Sequence, residues 1–345
     1  MRRFFCQAMK EMPKKITIRE SLRLAMIEEM RRDPKVFLIG EEVAQYQGAY
    51  KISKGMLEEF GPDRVVDTPI TEAGFTGLAV GASLMGLIPI VEFMTWNFAL
   101  QGIDHIFNSC AKIRYMSGGD LGGGIVFRGL NGPAASVAAQ HSQCFASSLS
   151  NVPGLIVISP YDCEDSKSLL KAAIRCKNPV AFLENELTYG HSFEVEPKFY
   201  DPEHVGTIGK ARIMRQGHHI TLIAFSRMVG LALEAAKQLE KANVSAEVIN
   251  LCTIKPLDRK TIIDSVKKTG RVVVIEDGYP FSGVAAEIVS TIVESPAFDY
   301  LDAPPERVTA WDIPLPYGNP IEALCLPQVE SILKGAKKIL QGAKL

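Results

Sequence analysis

Neither sign of charge dominates this chain. Its 345 residues carry 38 Lys and Arg against 39 Asp and Glu, a formal net charge of −1. That balance removes the electrostatic reason to expect nucleic acid or a membrane surface as a partner, and leaves proteins and small molecules. Cysteine is sparse too. Cys6, Cys110, Cys144, Cys163, Cys176, Cys252 and Cys325 are scattered without any Cys-x-x-Cys pair, which argues against a disulfide framework or a zinc site and fits a reducing compartment. There is no internal repeat of solenoid length and no low-complexity tract. One uncharged run, Ala73 to Val91, approaches the length of a membrane span. Gly74, Gly77, Gly81, Gly86 and Pro89 break it up, so it reads as a small-residue helix, a turn at Gly86 and a buried strand entering Glu92. The opening Met1-Arg2-Arg3-Phe4-Phe5-Cys6 lacks the apolar core of a secretory signal. Residues 1–15 are expected to form a short leader on a bacterial cytoplasmic protein. The alternative is the stub of a transit peptide to an organelle matrix or stroma.

What is present is a regular alternation. Short apolar runs at Val36 to Ile39, Ile88 to Val91, Ile125 to Phe127, Leu155 to Ile158 and Val180 to Leu183 are separated by segments of helical length. A second series follows at Ile220 to Ala224, Ala246 to Ile249 and Val272 to Ile275. Strands that are apolar at every position belong in sheets covered on both faces, so the pattern predicts an α/β fold with mostly parallel sheets. The length suits two domains. The boundaries expected are 16–190 for the first, 191–210 for a Pro-containing connection and 211–345 for a smaller second α/β domain. Ala73, Gly77 and Gly81 recur every four residues, a stripe that invites another helix to pack closely, within the domain or across a subunit interface.

In open α/β sheets ligands gather beyond the carboxyl ends of the strands. Glu41 and Glu42 follow one strand, Glu72 follows Val65-Val66, Thr95 to Gln101 follow another, and Arg128 to Asn131 a further one. Glu72 stands out because nineteen uncharged residues lie between it and Glu92. A carboxyl shielded from water tends to keep its proton and becomes useful as an acid or hydrogen-bond partner. Read alone, Glu72 is equally a helix-capping residue.

The segments DTPITEAGFTG, EFMTWNFALQGIDHIFNSCAK, YMSGG, IVFRGLNG, AAQHSQ, ENELTYG and LCTIKPLD, in this order from about residue 15 onward, resemble the β subunits of the pyruvate dehydrogenase E1 component. These belong to the transketolase-like thiamine diphosphate enzymes. The resemblance implies a pyrimidine-binding domain, a transketolase C-terminal-type domain and an α2β2 heterotetramer. Its partners would be an E1 α subunit, a second β subunit, the E2 acyltransferase and pyruvate. Related chains acting on branched-chain 2-oxo acids or acetoin are the near alternative, and a non-catalytic E2-docking subunit is the alternative of another class.

The resemblance also distributes roles. Thiamine diphosphate loses its C2 proton to its own aminopyrimidine, and a carboxyl at ring nitrogen N1′ drives the tautomer that accepts it; Glu72 matches that residue. Phe98 and Gln101, three residues apart on one helical face, match positions beside the pyrimidine, with Glu42 as a further carboxylate. Alone, Phe98 would read as a core aromatic. His141, which alone would read as structural, matches a histidine concerned with acyl transfer to the lipoyl arm of E2. A potassium ion is implied at the backbone carbonyls of Ile125, Ala173, Ile174, Cys176 and Asn178, although Cys176 stands where relatives often carry Asp. Asp302 matches an acidic residue that docks E2. The family's Gly-Asp-Gly diphosphate and Mg²⁺ motif has no counterpart: Gly119-Asp120-Leu121 lacks the third glycine. The diphosphate half of the cofactor site, with Mg²⁺, is therefore expected on the α subunit.

Overall fold

The computed structural model describes residues 13–340, so all but the last residues of the expected leader lie outside the described residues. The chain divides by contact into two compact units. Of the described residues, the first comprises 13–130, 152–182 and 186–208, and the second 131–151, 183–185 and 209–340.

The first unit contains β1 (Lys15–Thr17), β2 (Val36–Gly40), β3 (Val65–Asp67), β4 (Ile88–Glu92), β5 (Ile125–Leu130), β6 (Ile156–Ile158), β7 (Pro179–Glu184) and β8 (Ser192–Glu194). Its main sheet runs β6-β7-β5-β4-β2-β3, with β2–β3, β2–β4, β4–β5 and β6–β7 parallel. Every residue of β2, β5 and β7 is buried, as expected for strands covered on both faces. Parallel pairing puts the carboxyl ends of β2, β3 and β4 on one edge, with Gly40 opposite both Asp67 and Glu92. The uncharged run resolves into the Glu72–Leu84 helix, a left-handed Gly86 (φ 87°) and β4. Among the described residues no helix is long and apolar enough to cross a membrane.

The Ile18–Arg32 helix opens on a capping box, Thr17 Oγ1 accepting from Glu20 N at 3.2 Å and Glu20 Oε2 accepting from Thr17 N at 3.1 Å. It packs against the Cys163–Arg175 helix through a buried ion network. Glu28 meets Lys167 at 2.7 Å and Lys171 at 2.5 Å, and Glu29 meets Arg175 at 2.8 Å and Arg32 at 2.6 Å. The stretch 191–210 is built against this unit: β8 pairs antiparallel with β1, and the fully buried Phe199 accepts Lys167 Nζ at its carbonyl.

The second unit carries β9 (Arg212–Arg215), β10 (Ile220–Ala224), β11 (Ala246–Asn250), β12 (Thr253–Lys255), β13 (Val272–Ile275) and β14 (Glu306–Val308). Its sheet runs β14-β13-β10-β11-β9, parallel throughout except for antiparallel β9. The helices Met228–Lys241, Arg259–Thr269, Val284–Val293 and Val329–Leu340 bury Ala232, Val266, Ile288 and Ile332 among their apolar residues. The α/β class with two mostly parallel sheets is what the strand pattern predicts. The short strands β1, β8, β9, β12 and β14 were not foreseen, since three or four residues at a sheet margin carry too little periodicity to register.

Candidate active site

The chain leaves β2 at Gly40 and turns through Glu41 and Glu42. Asp67, the last residue of β3, pins this turn, its carboxylate accepting from Ala44 N at 2.7 Å and Gln45 N at 3.0 Å. Glu42 adopts a left-handed backbone (φ 58°) and is exposed. Glu41 is the buried member of the pair, 8% exposed. Glu72, the first residue of its helix, is 4% exposed and lies beside it. Burial, and then the neighbouring Glu72 carboxylate, hold the Glu41 carboxyl above its ordinary range. Held up in this way, the Glu41 carboxyl is suited to keep its proton. Glu41 Oε1 and Glu72 Oε2 are each buried with no hydrogen-bond partner. An unsatisfied buried polar atom costs about 1–3 kcal/mol, so two side by side call for an explanation, and a ligand is one.

A third element closes on the same place. Thr95, after β4, caps the Trp96–Ala99 helix by accepting from Asn97 N at 3.3 Å, and Trp96 Nε1 donates to Phe182 O at 3.3 Å. The chain tightens into a 3₁₀ turn at Leu100–Gly102. A Cβ on Gly102 would lie 2.7 Å from Thr76 Oγ1 and 3.0 Å from Glu72 O, so glycine lets this turn seat on the first turn of the Glu72 helix. Phe98, half-buried, and Gln101, exposed, are carried by this segment. The structure thus brings Glu41, Glu72 and the Phe98–Gln101 segment together. The helix beyond is more broken than the spacing predicts, passing into a π-helix at His105–Cys110. His105 fills the space a Cβ on Gly77 would need, while Gly81 is open, so the small-residue stripe serves intradomain packing at Gly77.

The remaining expected residues are carried by other segments. His141 is exposed at the end of the 3₁₀ turn Ala139–His141, in the second unit. Asp302, also in the second unit, is exposed and pairs with Arg271 at 2.9 Å. Near the start of β5, a Cβ on Gly124 would lie 2.4 Å from Cys176 O and 3.8 Å from Ile174 O. Those two carbonyls therefore converge beside Ile125. Asn178 is exposed, and its Nδ2 reaches Cys176 Sγ at 3.9 Å. Asp120 is exposed. Among the described residues no cluster of three or more His, Cys, Asp or Glu is arranged to hold a metal. A cavity of about 480 Å³ in the first unit, lined by Ser83, Leu84, Arg114 and Asn178 among others, is at the far end of the Glu72 helix. We assign the candidate site to the glutamate pair instead, because two neighbouring buried carboxylates there each keep an unsatisfied oxygen.

Residues 14–191 match the transketolase pyrimidine binding domain, and residues 209–332 the transketolase C-terminal domain. Among solved structures, a chain titled split gene transketolase, inactive beta4 tetramer, superposes with a TM-score of 0.77 over 94% of this chain and 98% of that one, at 22% identity. Fold and strand-end site thus define a transketolase-type chain of two α/β domains. Its near relatives are more particular. Pyruvate dehydrogenase E1 component subunit beta of Rickettsia conorii is 58% identical over 324 residues, covering 94% of this chain and 98% of that protein. The mitochondrial subunit beta-1 proteins of Oryza sativa and Arabidopsis thaliana are 58% and 56% identical, over 94% and 96% of this chain and 87% and 91% of theirs. The chain belongs to the family of pyruvate dehydrogenase E1 β subunits.

Proposed function

We propose that this chain supplies the pyrimidine-side residues of a pyruvate dehydrogenase E1 heterotetramer, and that the Glu72 carboxyl, which contacts Glu41 and leaves Oε2 without a partner, is the group that engages the cofactor. The buried, orphaned Glu72 Oε2 carries this reading: it fits a ligand nitrogen that shares a proton, and no protein group does that work. Thiamine diphosphate, when bound, supplies a carbon nucleophile for the 2-oxo carbon of pyruvate. Glu72 would hold the proton at pyrimidine N1′. Glu41, buried beside Glu72, would serve as the second carboxylate in place of the exposed Glu42. Phe98 would pack beside the pyrimidine with Gln101 nearby, and His141 would move a proton during acetyl transfer to lipoyl-E2. Mg²⁺ and diphosphate would be held by the α subunit.

The carbonyls of Ile174 and Cys176, converging at Gly124, fit a potassium ion whose remaining ligands would come from Ile125, Ala173 and Asn178. Asp302 would dock E2, in competition with its own Arg271. We take 16–190 and 211–345 as the functional domains and a bacterial cytoplasm as the setting. The test is to co-express the chain with an E1 α subunit and measure thiamine-dependent dye reduction with pyruvate and with 3-methyl-2-oxobutanoate. Preference for pyruvate supports the reading, and branched-chain preference moves the substrate. An inactive assembly that binds no thiamine diphosphate would leave an E2-docking subunit.

A further inference from the structure

The loop that carries His141 is anchored by two acids distant in sequence. At its neck, Gly132 N donates to Gln143 O at 2.9 Å, Asn131 Oδ1 accepts from Phe145 N at 2.7 Å, and Asn131 Nδ2 reaches Cys144 Sγ at 3.4 Å. Asp277, just past β13, presses on this neck. A Cβ on left-handed Gly132 (φ 83°) would lie 3.0 Å from Asp277 Oδ2, and the Cys144 side chain hydrogen-bonds the Asp277 carboxyl. Further along, Ser136 N donates to Glu322 Oε2 at 3.1 Å. Glu322, on the Asn319–Cys325 helix, is 5% exposed and its Oε1 is buried without a partner. Between the anchors and His141 the chain takes left-handed conformations at Ser136 (φ 56°) and Ala138 (φ 66°), and Ser142 Oγ donates to Ala138 O at 2.6 Å. Non-glycine residues in that region cost about 1–3 kcal/mol each and persist only where the surroundings over-determine them.

We propose that Glu322, seconded by Asp277, is a positioning residue that sets His141 for acyl transfer by fixing its loop, without touching substrate. The inference rests on the transfer role given to His141. Deleting the acceptor leaves the Ser136 N–H unsatisfied and lets two strained residues relax. Displacing a reacting group by about 1 Å can cost on the order of 10²-fold in rate.

The experiment uses the assembled enzyme with its α subunit and compares Glu322→Met, Glu322→Gln, His141→Ala and the Glu322→Met/His141→Ala double variant. Glu322→Met is expected to lower kcat for acetylation of free lipoyl domain by about 10–100-fold. KM for that domain and dye-linked decarboxylation should stay within about twofold. Glu322→Gln should restore transfer, because its amide oxygen still accepts from Ser136. The double variant should be no worse than His141→Ala, since interacting residues are not additive. Amide exchange in residues 131–145 should quicken in Glu322→Met and in the double variant, and stay as in the wild type in Glu322→Gln. Unchanged transfer in Glu322→Met, a Gln variant as impaired as Met, or additive losses in the double variant would overturn the positioning role while leaving His141 in place. Equal losses in both assays for His141→Ala would overturn the reading of His141 and this inference with it. If Glu322→Met does not assemble, Cys144→Ala probes the neck, and normal transfer and exchange there would equally count against it.

Discussion

Two pairs of glutamates in the first unit meet burial in opposite ways. Glu28 and Glu29, on one helix, are surrounded by Lys167, Lys171, Arg175 and Arg32, with contacts of 2.5–2.8 Å to each. Glu41 and Glu72, at adjacent strand ends, have each other, and each keeps an oxygen with no partner. In the first pair charge is answered by charge and helix is fastened to helix. In the second, nothing in the chain repays the desolvation, and the Glu41 carboxyl rises instead. Burial alone therefore does not single out a candidate site; burial without a cation or a donor is what distinguishes the second pair.

The comparison breaks most visibly in activity. Glu72→Gln in the assembled enzyme should lower pyruvate turnover by about 10²–10⁴-fold, the usual contribution of a placed proton-transfer group, while the apoprotein melts at the same temperature or slightly higher. Lys171→Ala should do the reverse. Removing one partner of a buried ion pair leaves uncompensated charge and costs about 3 kcal/mol, roughly 6–12 °C in Tm for a unit of this size. Turnover per folded enzyme should be unchanged, as thermal melts and active-site titration would show. Glu41→Gln falls between, with about a tenfold loss of turnover and a gain of about 1 kcal/mol in apoprotein stability once the acid no longer has to be kept neutral.

The smallest effect is one of pH. Because the folded-state Glu41 carboxyl titrates above its unfolded value, the folded chain holds a proton that the unfolded chain has lost. Apoprotein stability should therefore fall as pH rises from the ordinary carboxylate range through the raised value. Denaturant melts across that range should show the slope in the wild type and a flatter line in Glu41→Gln.

The contrast between the two pairs was only half legible in the sequence. The sheet strands could be read because β2, β5 and β7 are apolar along nearly their whole length, and Glu72 could be read from the uncharged run that follows it. Glu41 and Glu42 are adjacent carboxylates after the same strand, and composition cannot rank them. What separates them is the left-handed turn at Glu42 and the grip of Asp67 on Ala44 and Gln45, twenty-odd residues away in sequence. The ion network was invisible for a similar reason, since it joins helices about 140 residues apart. Carbonyls such as those of Ile174 and Cys176 leave no trace in side-chain identity. The attachment of the His141 loop to the second unit depends on Asp277 and Glu322, which no local pattern links to it.

The central claim is that the Glu41–Glu72 pair waits for a ligand rather than for a protein partner. The direct measurement is the melting temperature of the assembled α2β2 enzyme, wild type against Glu72→Gln, without and with saturating thiamine diphosphate and Mg²⁺. The account predicts that the variant matches or exceeds the wild type without cofactor and gains clearly less when cofactor is added. A variant that melts well below the wild type without cofactor, yet gains as much on adding it, would show Glu72 to be structural and would contradict the account.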